Sequence, residues 1–314
     1  MSYIHFIGID VSKEWFDAAL HDGAAKPQRF PNTGAGFAAL ARHFAPELAA
    51  ALVVLESTGG YEAALIAFLL ANRVAVHRAN PLAAKHFIRS VRLHGKTDQL
   101  DARALARYGA ERHASLRLCR VTEAAQQALQ ALLSRRADLL AMRVAEQNRS
   151  LHPGYADAAL KESLRAMRKL LDAQLEKLER RIAELIAQSP ALSAKFAVLT
   201  SVKGVGRQTA FALLAGMPEL GSLTRRQAAS LAGVAPHPRD SGKAAGYRRT
   251  IGGRYAVKSC LFMAAMAARR YNAGLKAFFE RLVHNGKKPM VALVAVMRKL
   301  VTILNAKLRD AAYA

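Results

Sequence analysis

Two apolar runs that each stop at an acid constrain this chain more than any other feature. The first, Tyr3-Ile4-His5-Phe6-Ile7-Gly8-Ile9, stops at Asp10. The second, Ala51-Leu52-Val53-Val54-Leu55, stops at Glu56. A short unbroken apolar run reads as a buried strand, of the kind that parallel sheets use. A carboxylate at the end of such a strand cannot bury its charge without a partner. Asp10 alone admits a plainer reading, because Asp before Val-Ser-Lys is ordinary turn chemistry. Glu62 is a rival to Glu56, but its spacing places it on the following helix, facing solvent, and so favours Glu56.

Two further acids, Asp98 and Asp101, lie three apart at the start of a helical stretch and share one helix face. Asp98 also suits a helix N-cap or first turn, a role compatible with binding a cation. Several carboxylates converging in a basic chain point to a divalent-cation site, with Mg²⁺ as the hard ion suited to oxygen ligands. Beside a polyanion, such a site does phosphodiester chemistry.

The polyanion follows from charge. The 314 residues carry 47 Lys and Arg against 23 Asp and Glu, a formal net charge of +24. That excess indicates nucleic acid. A membrane surface fits less well, since the basic residues are spread along the chain rather than gathered on one amphipathic helix. The apolar stretch Met290 to Met297 is followed by Arg298 and Lys299. It is too short to span a bilayer and reads as a buried helix. The cysteines, Cys119 and Cys260, form neither a metal-spaced pair nor a disulfide framework. With no charged start followed by an apolar signal segment, a reducing cytoplasm is the expected location. The ten histidines show no ligand spacing, and Trp15 is expected in the core.

Three segments are expected. Residues 1–120 alternate strand and helix signals, with strands at 3–9, 15–21, 28–30, 51–56 and 74–76 and helices at 36–44, 61–71, 81–92 and 98–112. Three strands followed by alternating helix and strand match an RNase H-like (RuvC-like) α/β core. That fold gathers acids from its first strand, fourth strand and a late helix. Residues 121–190 are helical and poor in Gly, broken at Pro153-Gly154. There Leu171, Leu175, Leu178, Ile182 and Leu185 follow a 4, 3, 4, 3 spacing, a coiled-coil seam of about two heptads. The seam suits either a self-association element or a helical hairpin packed on its own domain, and the flanking charges favour the former. Residues 191–314 are mainly helical.

Within that third segment, Ser201-Val202-Lys203-Gly204-Val205-Gly206-Arg207 joins two helices through a Gly-x-Gly turn. This is a helix-hairpin-helix pattern, in which Gly204 and Gly206 let backbone N–H groups approach a phosphate flanked by Lys203 and Arg207. The alternative is an ordinary connection with Gly at the cap. A Gly-rich basic segment follows, with Arg239, Lys243, Arg248, Arg249, Arg254 and Lys258 against one acid, Asp240. Such cations hold phosphates. Ser241, near its centre, is either a nucleophile or a turn-forming, phosphate-binding serine. In the first segment Arg78, Lys85, Arg89, Arg92, Lys96, Arg103 and Arg107 face only Asp98 and Asp101 over the same window. They read as an RNA or DNA track rather than a solvated face.

Gly8-Ile9-Asp10-Val11-Ser12-Lys13, Leu55-Glu56-Ser57-Thr58-Gly59-Gly60-Tyr61 and Lys96-Thr97-Asp98-Gln99-Leu100-Asp101-Ala102 resemble the DEDD signature of the IS110 insertion-sequence transposases. Gly204-Val205-Gly206, Gly233-Val234-Ala235-Pro236 and Arg239-Asp240-Ser241-Gly242 are similar to that family's C-terminal domain. Piv-type DNA invertases are near relatives of the family. The resemblance implies a bacterial, nucleoid-associated recombinase in which Asp10, Glu56, Asp98 and Asp101 hold Mg²⁺ and Ser241 is the nucleophile. It also implies an element-encoded bridge RNA that pairs with donor and target DNA, and assembly as a dimer or tetramer.

Rival functions remain. A RuvC-type nuclease or Holliday-junction resolvase using water explains the carboxylates but leaves Ser241 and its basic loop without a role. A sugar-kinase-type phosphotransferase shares the Gly-Ile-Asp opening but needs a second phosphate loop and an adenosine pocket. A nucleic-acid scaffold explains the charge but not the acids.

Overall fold

The computed structural model describes residues 3–21, 26–91, 98–120, 123–155, 157–238 and 248–311, with backbone only at 98–100. The chain divides into two compact units, Met1–Thr122 and Glu123–Ala314.

The first unit is built on five strands: β1 (His5–Val11), β2 (Trp15–Leu20), β3 (Gln28–Pro31), β4 (Ala51–Glu56) and β5 (Ala75–Ala79). Their order is β3-β2-β1-β4-β5. The first three strands pair antiparallel, whereas β1, β4 and β5 pair parallel. The mixed sheet follows from the connections. Ser12 closes the tight β1–β2 turn, its Oγ donating to the Trp15 carbonyl at 2.7 Å. The parallel pairs need helical crossovers. These are α1 (Gly34–His43) with the short α2 (Ala45–Leu48), and α3 (Ala63–Ala71). Helices α4 (Pro81–Ser90) and α5 (Asp98–Arg112) complete the unit. Strand β1 reaches Val11, two residues beyond expectation, so Asp10 is a strand residue rather than a turn residue.

The strands alternate between two cores. Ile7, Ile9, Phe16, Val53 and Leu55 pack with Phe37, Leu40, Leu65 and Leu69 on one face. Leu52 and Val54 pack with Leu105 and Ala84 on the other. On that second face α5 sits directly on β1. A Cβ added to Gly8 would lie 2.0 Å from the Ala102 carbonyl oxygen and 2.2 Å from the Ala106 nitrogen. One added to Gly109 would lie 2.8 Å from Val54 Cγ2. Trp15 departs from expectation. It is 39% exposed at the rim, with the Arg29 guanidinium 5.1 Å above its ring.

The second unit unites the expected middle and C-terminal segments. Helices α6 (Ala124–Leu151) and α7 (Ala158–Gln188) form an antiparallel hairpin, joined by the ion pairs Arg136–Glu179 and Arg143–Asp172. The leucine seam closes inside this hairpin. Leu171 and Leu175 pack with Leu139, while Ile182 and Ile186 join Leu129 in the main core of the unit. Within the chain, α6 thus supplies an apolar partner for the seam, as the helical-hairpin reading expects.

That main core also holds α8 (Pro190–Thr200), α9 (Arg207–Gly216), α10 (Arg225–Leu231), α11 (Tyr255–Tyr271), α12 (Ala273–His284) and α13 (Pro289–Ala311). Helix α13 is long and apolar enough to cross a membrane by composition, yet Leu293, Val296, Leu300, Val301 and Leu304 bury one face of it in this core.

The seating of α5 gives a direct test. Gly8→Ala should destabilise the protein by about 2–4 kcal/mol in urea unfolding, because backbone rather than a movable side chain meets the new methyl. Wild-type stability in that variant would show that α5 does not rest on β1.

Candidate active site

Three of the four acids of the signature reach the same end of the sheet. Ile9 pairs with Leu55 in the parallel ladder, and Asp10 and Glu56 are the next residue on each strand. Adjacent strands lie about 4.8 Å apart, and alternate residues share a face. Asp10 therefore shares a face with Phe6 and Gly8, and Glu56 with Leu52 and Val54. This is the face that α5 covers. Helix α5 runs counter to β1, with Gly109 beside Phe6 and Ala102 and Ala106 over Gly8. Its first turn, holding Asp98 and Asp101, thus lies toward Asp10.

Electrostatics supports this convergence. Burial raises the Glu56 carboxyl above the usual range, and the Asp101 charge raises it further. The side chain of Asp98 lies outside the described residues. Among the described residues no three acids, histidines or cysteines stand close enough to form a finished ion cage. The donor set nevertheless fits a divalent cation. It is all oxygen, and Glu56 pays a like-charge penalty that a cation would relieve.

One buried carboxylate escaped the sequence reading, and another was misplaced by it. Asp17 stands opposite Asp10 in the β1–β2 ladder and is 1% exposed. The Arg29 fork holds both its oxygens, Nε to Oδ1 at 3.1 Å and Nη2 to Oδ2 at 2.7 Å. Arg29 is in register on β3, so the cross-strand pair was the available signal. Glu62 corrects an expectation. It is 1% exposed rather than solvent-facing, and it precedes α3 instead of lying on its outer face. One oxygen accepts from the Thr58 and Gly60 amides and the Thr58 hydroxyl, and the other accepts from Ser57 Oγ. Burial alone would raise its pKa, but the amides of Glu62, Thr58 and Gly60 and the Thr58 hydroxyl outweigh it and hold the carboxyl below the usual range.

The basic residues divide by what they already touch. Lys85 and Arg89 are exposed on α4. Beside them, His86, Phe87, Ser90, Tyr108 and Arg112 line an open groove of about 380 Å³. Arg103 is exposed on α5, and Arg107 pairs with Glu111 at 2.6 Å. Arg92 and Lys96 lie outside the described residues.

In the second unit Gly206 caps α9 with open space where a Cβ would project, and Lys203 and Arg207 flank it, both exposed. Gly204 has a different task. It has φ +103° and presses on Ala268 of α11, 2.6 Å from where its Cβ would be. Arg239, Ser241 and Lys243 lie outside the described residues. The base of their segment is a two-stranded ribbon, β6 (Pro236–His237) against β7 (Arg249–Thr250), with Arg248 and Arg249 exposed. Arg254, expected to bind phosphate, is committed elsewhere. Its fork grips Glu219 at 2.6 and 2.8 Å and donates to the Gly216 carbonyl at 2.6 Å.

Acids at the ends of β1 and β4, beneath a crossing helix in a mixed sheet of this order, are consistent with an RNase H-like domain, here followed by a mainly helical unit. Residues 7–152 match the family model of the DEDD-type IS110 transposases. Residues 197–280 match that of the IS116/IS110/IS902 transposases. Pilin gene-inverting proteins of Moraxella bovis and Moraxella lacunata are each 29% identical over 321 residues, covering 97% of this chain and 96% of theirs. An IS110 insertion-element protein of Streptomyces coelicolor is 33% identical over 118 residues, 37% of this chain and 29% of that protein. The chain belongs to the IS110 family of transposases and is a DNA recombinase. DEDD-type chemistry of this family depends on a divalent metal ion.

The raised Glu56 has a signed consequence. The folded state holds this proton to higher pH than the unfolded state does, so the ionised group subtracts stability as pH rises through that window. Glu56→Gln should therefore stabilise the metal-free protein at pH 7, and the gain should vanish near pH 4, as read from urea midpoints. A loss of stability at pH 7 would contradict the like-charge environment.

Proposed function

We propose that Asp10, Glu56, Asp98 and Asp101 hold Mg²⁺ and that Ser241 is the nucleophile of an RNA-guided DNA recombination. The convergence of Asp10 and Glu56 beneath α5, with the Asp101 charge felt at Glu56, carries this reading. Bound Mg²⁺ would neutralise charge on the scissile phosphate and orient it.

The residues of the chain supply the rest. The Ser241 hydroxyl gives up its proton and its oxygen attacks phosphorus. The bond from phosphorus to the leaving DNA oxygen breaks, and that oxygen takes up a proton as a free DNA hydroxyl. The phosphoserine link conserves the bond energy, so strands rejoin without ATP. Arg248 and Arg249 hold the DNA backbone, a role supported by their exposure at the β6–β7 ribbon. Lys203 and Arg207 beside the open Gly206 form a second phosphate contact of the helix-hairpin-helix type. On the first unit, the exposed Lys85, Arg89 and Arg103 form a basic track of their own.

Sequence choice belongs to a bridge RNA pairing with donor and target DNA, with the protein gripping backbones. A homo-oligomer, dimer or tetramer, brings the strands together. The names of the Moraxella relatives add inversion as an outcome, since inversion and insertion use one chemistry with different site arrangements. The rival with water as nucleophile is favoured by one observation, that the acidic pole is assembled within the first unit alone.

Purified protein, the RNA flanking its element, Mg²⁺ and labelled donor and target DNA, resolved on a denaturing gel, separate these readings. Wild type should give a protein–DNA adduct and Ser241→Ala none, while both still bind nucleic acid. Cleavage without adduct, equal in both, would establish the water nuclease. Binding should weaken steeply with salt, and a flat salt dependence would remove the basic track.

A further inference from the structure

Two loops leave the acidic pole, one after Asp10 and one after Glu56, and a single side chain ties them together. The Asn32 amide donates to the Ser12 carbonyl at 2.9 Å and to the Tyr61 carbonyl at 3.1 Å. Asn32 is spared for this because Thr33, not Asn32, caps α1.

The second loop is also held from within. Gly59 and Gly60 have φ of +75° and +108° and open space around them. They serve the backbone path rather than a close contact. That path curls the chain so that the Thr58 amide at 3.2 Å, the Thr58 hydroxyl at 3.2 Å and the Gly60 amide at 2.9 Å meet one Glu62 oxygen. Ser57 Oγ meets the other at 3.3 Å, and Arg78 Nη1 approaches it at 3.7 Å. Glu62 stands at the N-cap position of α3 but makes no side-chain bond to the helix's first amides. Its hydrogen bonds to Ser57, Thr58 and Gly60 go to the segment that follows Glu56.

We propose that Asn32 and Glu62 are positioning residues that set the separation of Asp10 and Glu56 for a divalent cation. The proposal rests on the reading of those two acids as cation ligands. Asn32 fixes one loop against the other, and Glu62 fixes the chain that leaves Glu56. A hard cation with strict octahedral demands tolerates little change in ligand spacing.

The test is Mn²⁺ binding to the full chain by electron paramagnetic resonance, paired with thermal unfolding, for wild type, Asn32→Ala, Glu62→Ala, Glu62→Gln and Asp10→Asn. Asn32→Ala should weaken Mn²⁺ binding about tenfold or more, as loss of outer-shell partners does, with an unfolding midpoint near wild type. Glu62→Ala should weaken it similarly. Glu62→Gln should keep most of the affinity, because its amide oxygen can take the Thr58 and Gly60 donors while its amide nitrogen faces the Ser57 hydroxyl. If Glu62→Ala fails to fold, Asn32→Ala decides. Wild-type Mn²⁺ affinity in Asn32→Ala, with binding lost in Asp10→Asn, would overturn the brace and leave the ligand assignment standing. Wild-type affinity in Asp10→Asn would overturn the ligand assignment and the brace together.

Discussion

The contact between α5 and β1 at Gly8 is the constraint on which the first unit depends. A helix normally stands off a sheet by the depth of two layers of side chains. Here backbone meets backbone, since no Cβ at position 8 fits under Ala102 and Ala106. The close approach brings the first turn of α5 down to the strand ends, which is how acids from three separate elements come to share one pole. It also explains the electrostatic cost. Glu56 is half-buried and feels Asp101, a like-charge arrangement that stability alone would not favour.

Around this pole the chain spends donors to keep other carboxylates quiet. Asp17 sits beside Asp10 but is held by both arms of the Arg29 fork. Glu62 sits beneath the loop after Glu56 but is wrapped in amides and hydroxyls. Asp10 and Glu56 are distinguished from these neighbours by position at the ends of β1 and β4, not by being the most buried. In the second unit the same economy appears among the cations. Arg136, Arg143 and Arg254 are absorbed by Glu179, Asp172 and Glu219. Lys203, Arg207, Arg248 and Arg249 remain exposed beside glycine turns and the β6–β7 ribbon.

Much of this was legible in the sequence. The strands carrying Asp10 and Glu56 announced themselves because parallel central strands are apolar on both faces. Asp98 and Asp101 declared a helix face by their spacing. Glu62 was misread because a helical period projected back from α3 puts it outside, whereas the positive φ at Gly59 and Gly60 turns it inward. Asp17 was passed over because its partner is in register on another strand, which no local pattern reports. Leu171, Leu175 and Ile182 of the heptad spacing are buried, but a 3.5-residue period says that an apolar partner exists and not which one. Arg254 counted as a phosphate ligand because a tally of charge along the chain does not see Glu219, distant in sequence and adjacent in space.

The account stands on a cation bound where β1, β4 and α5 meet. Anomalous diffraction from crystals of the protein soaked in Mn²⁺ tests it most directly. The account predicts an anomalous peak coordinated by Asp10 and Glu56 with Asp101 or Asp98 completing the oxygen ligands. A saturating soak whose peaks all lie elsewhere, with these carboxylates bare of metal, would contradict it.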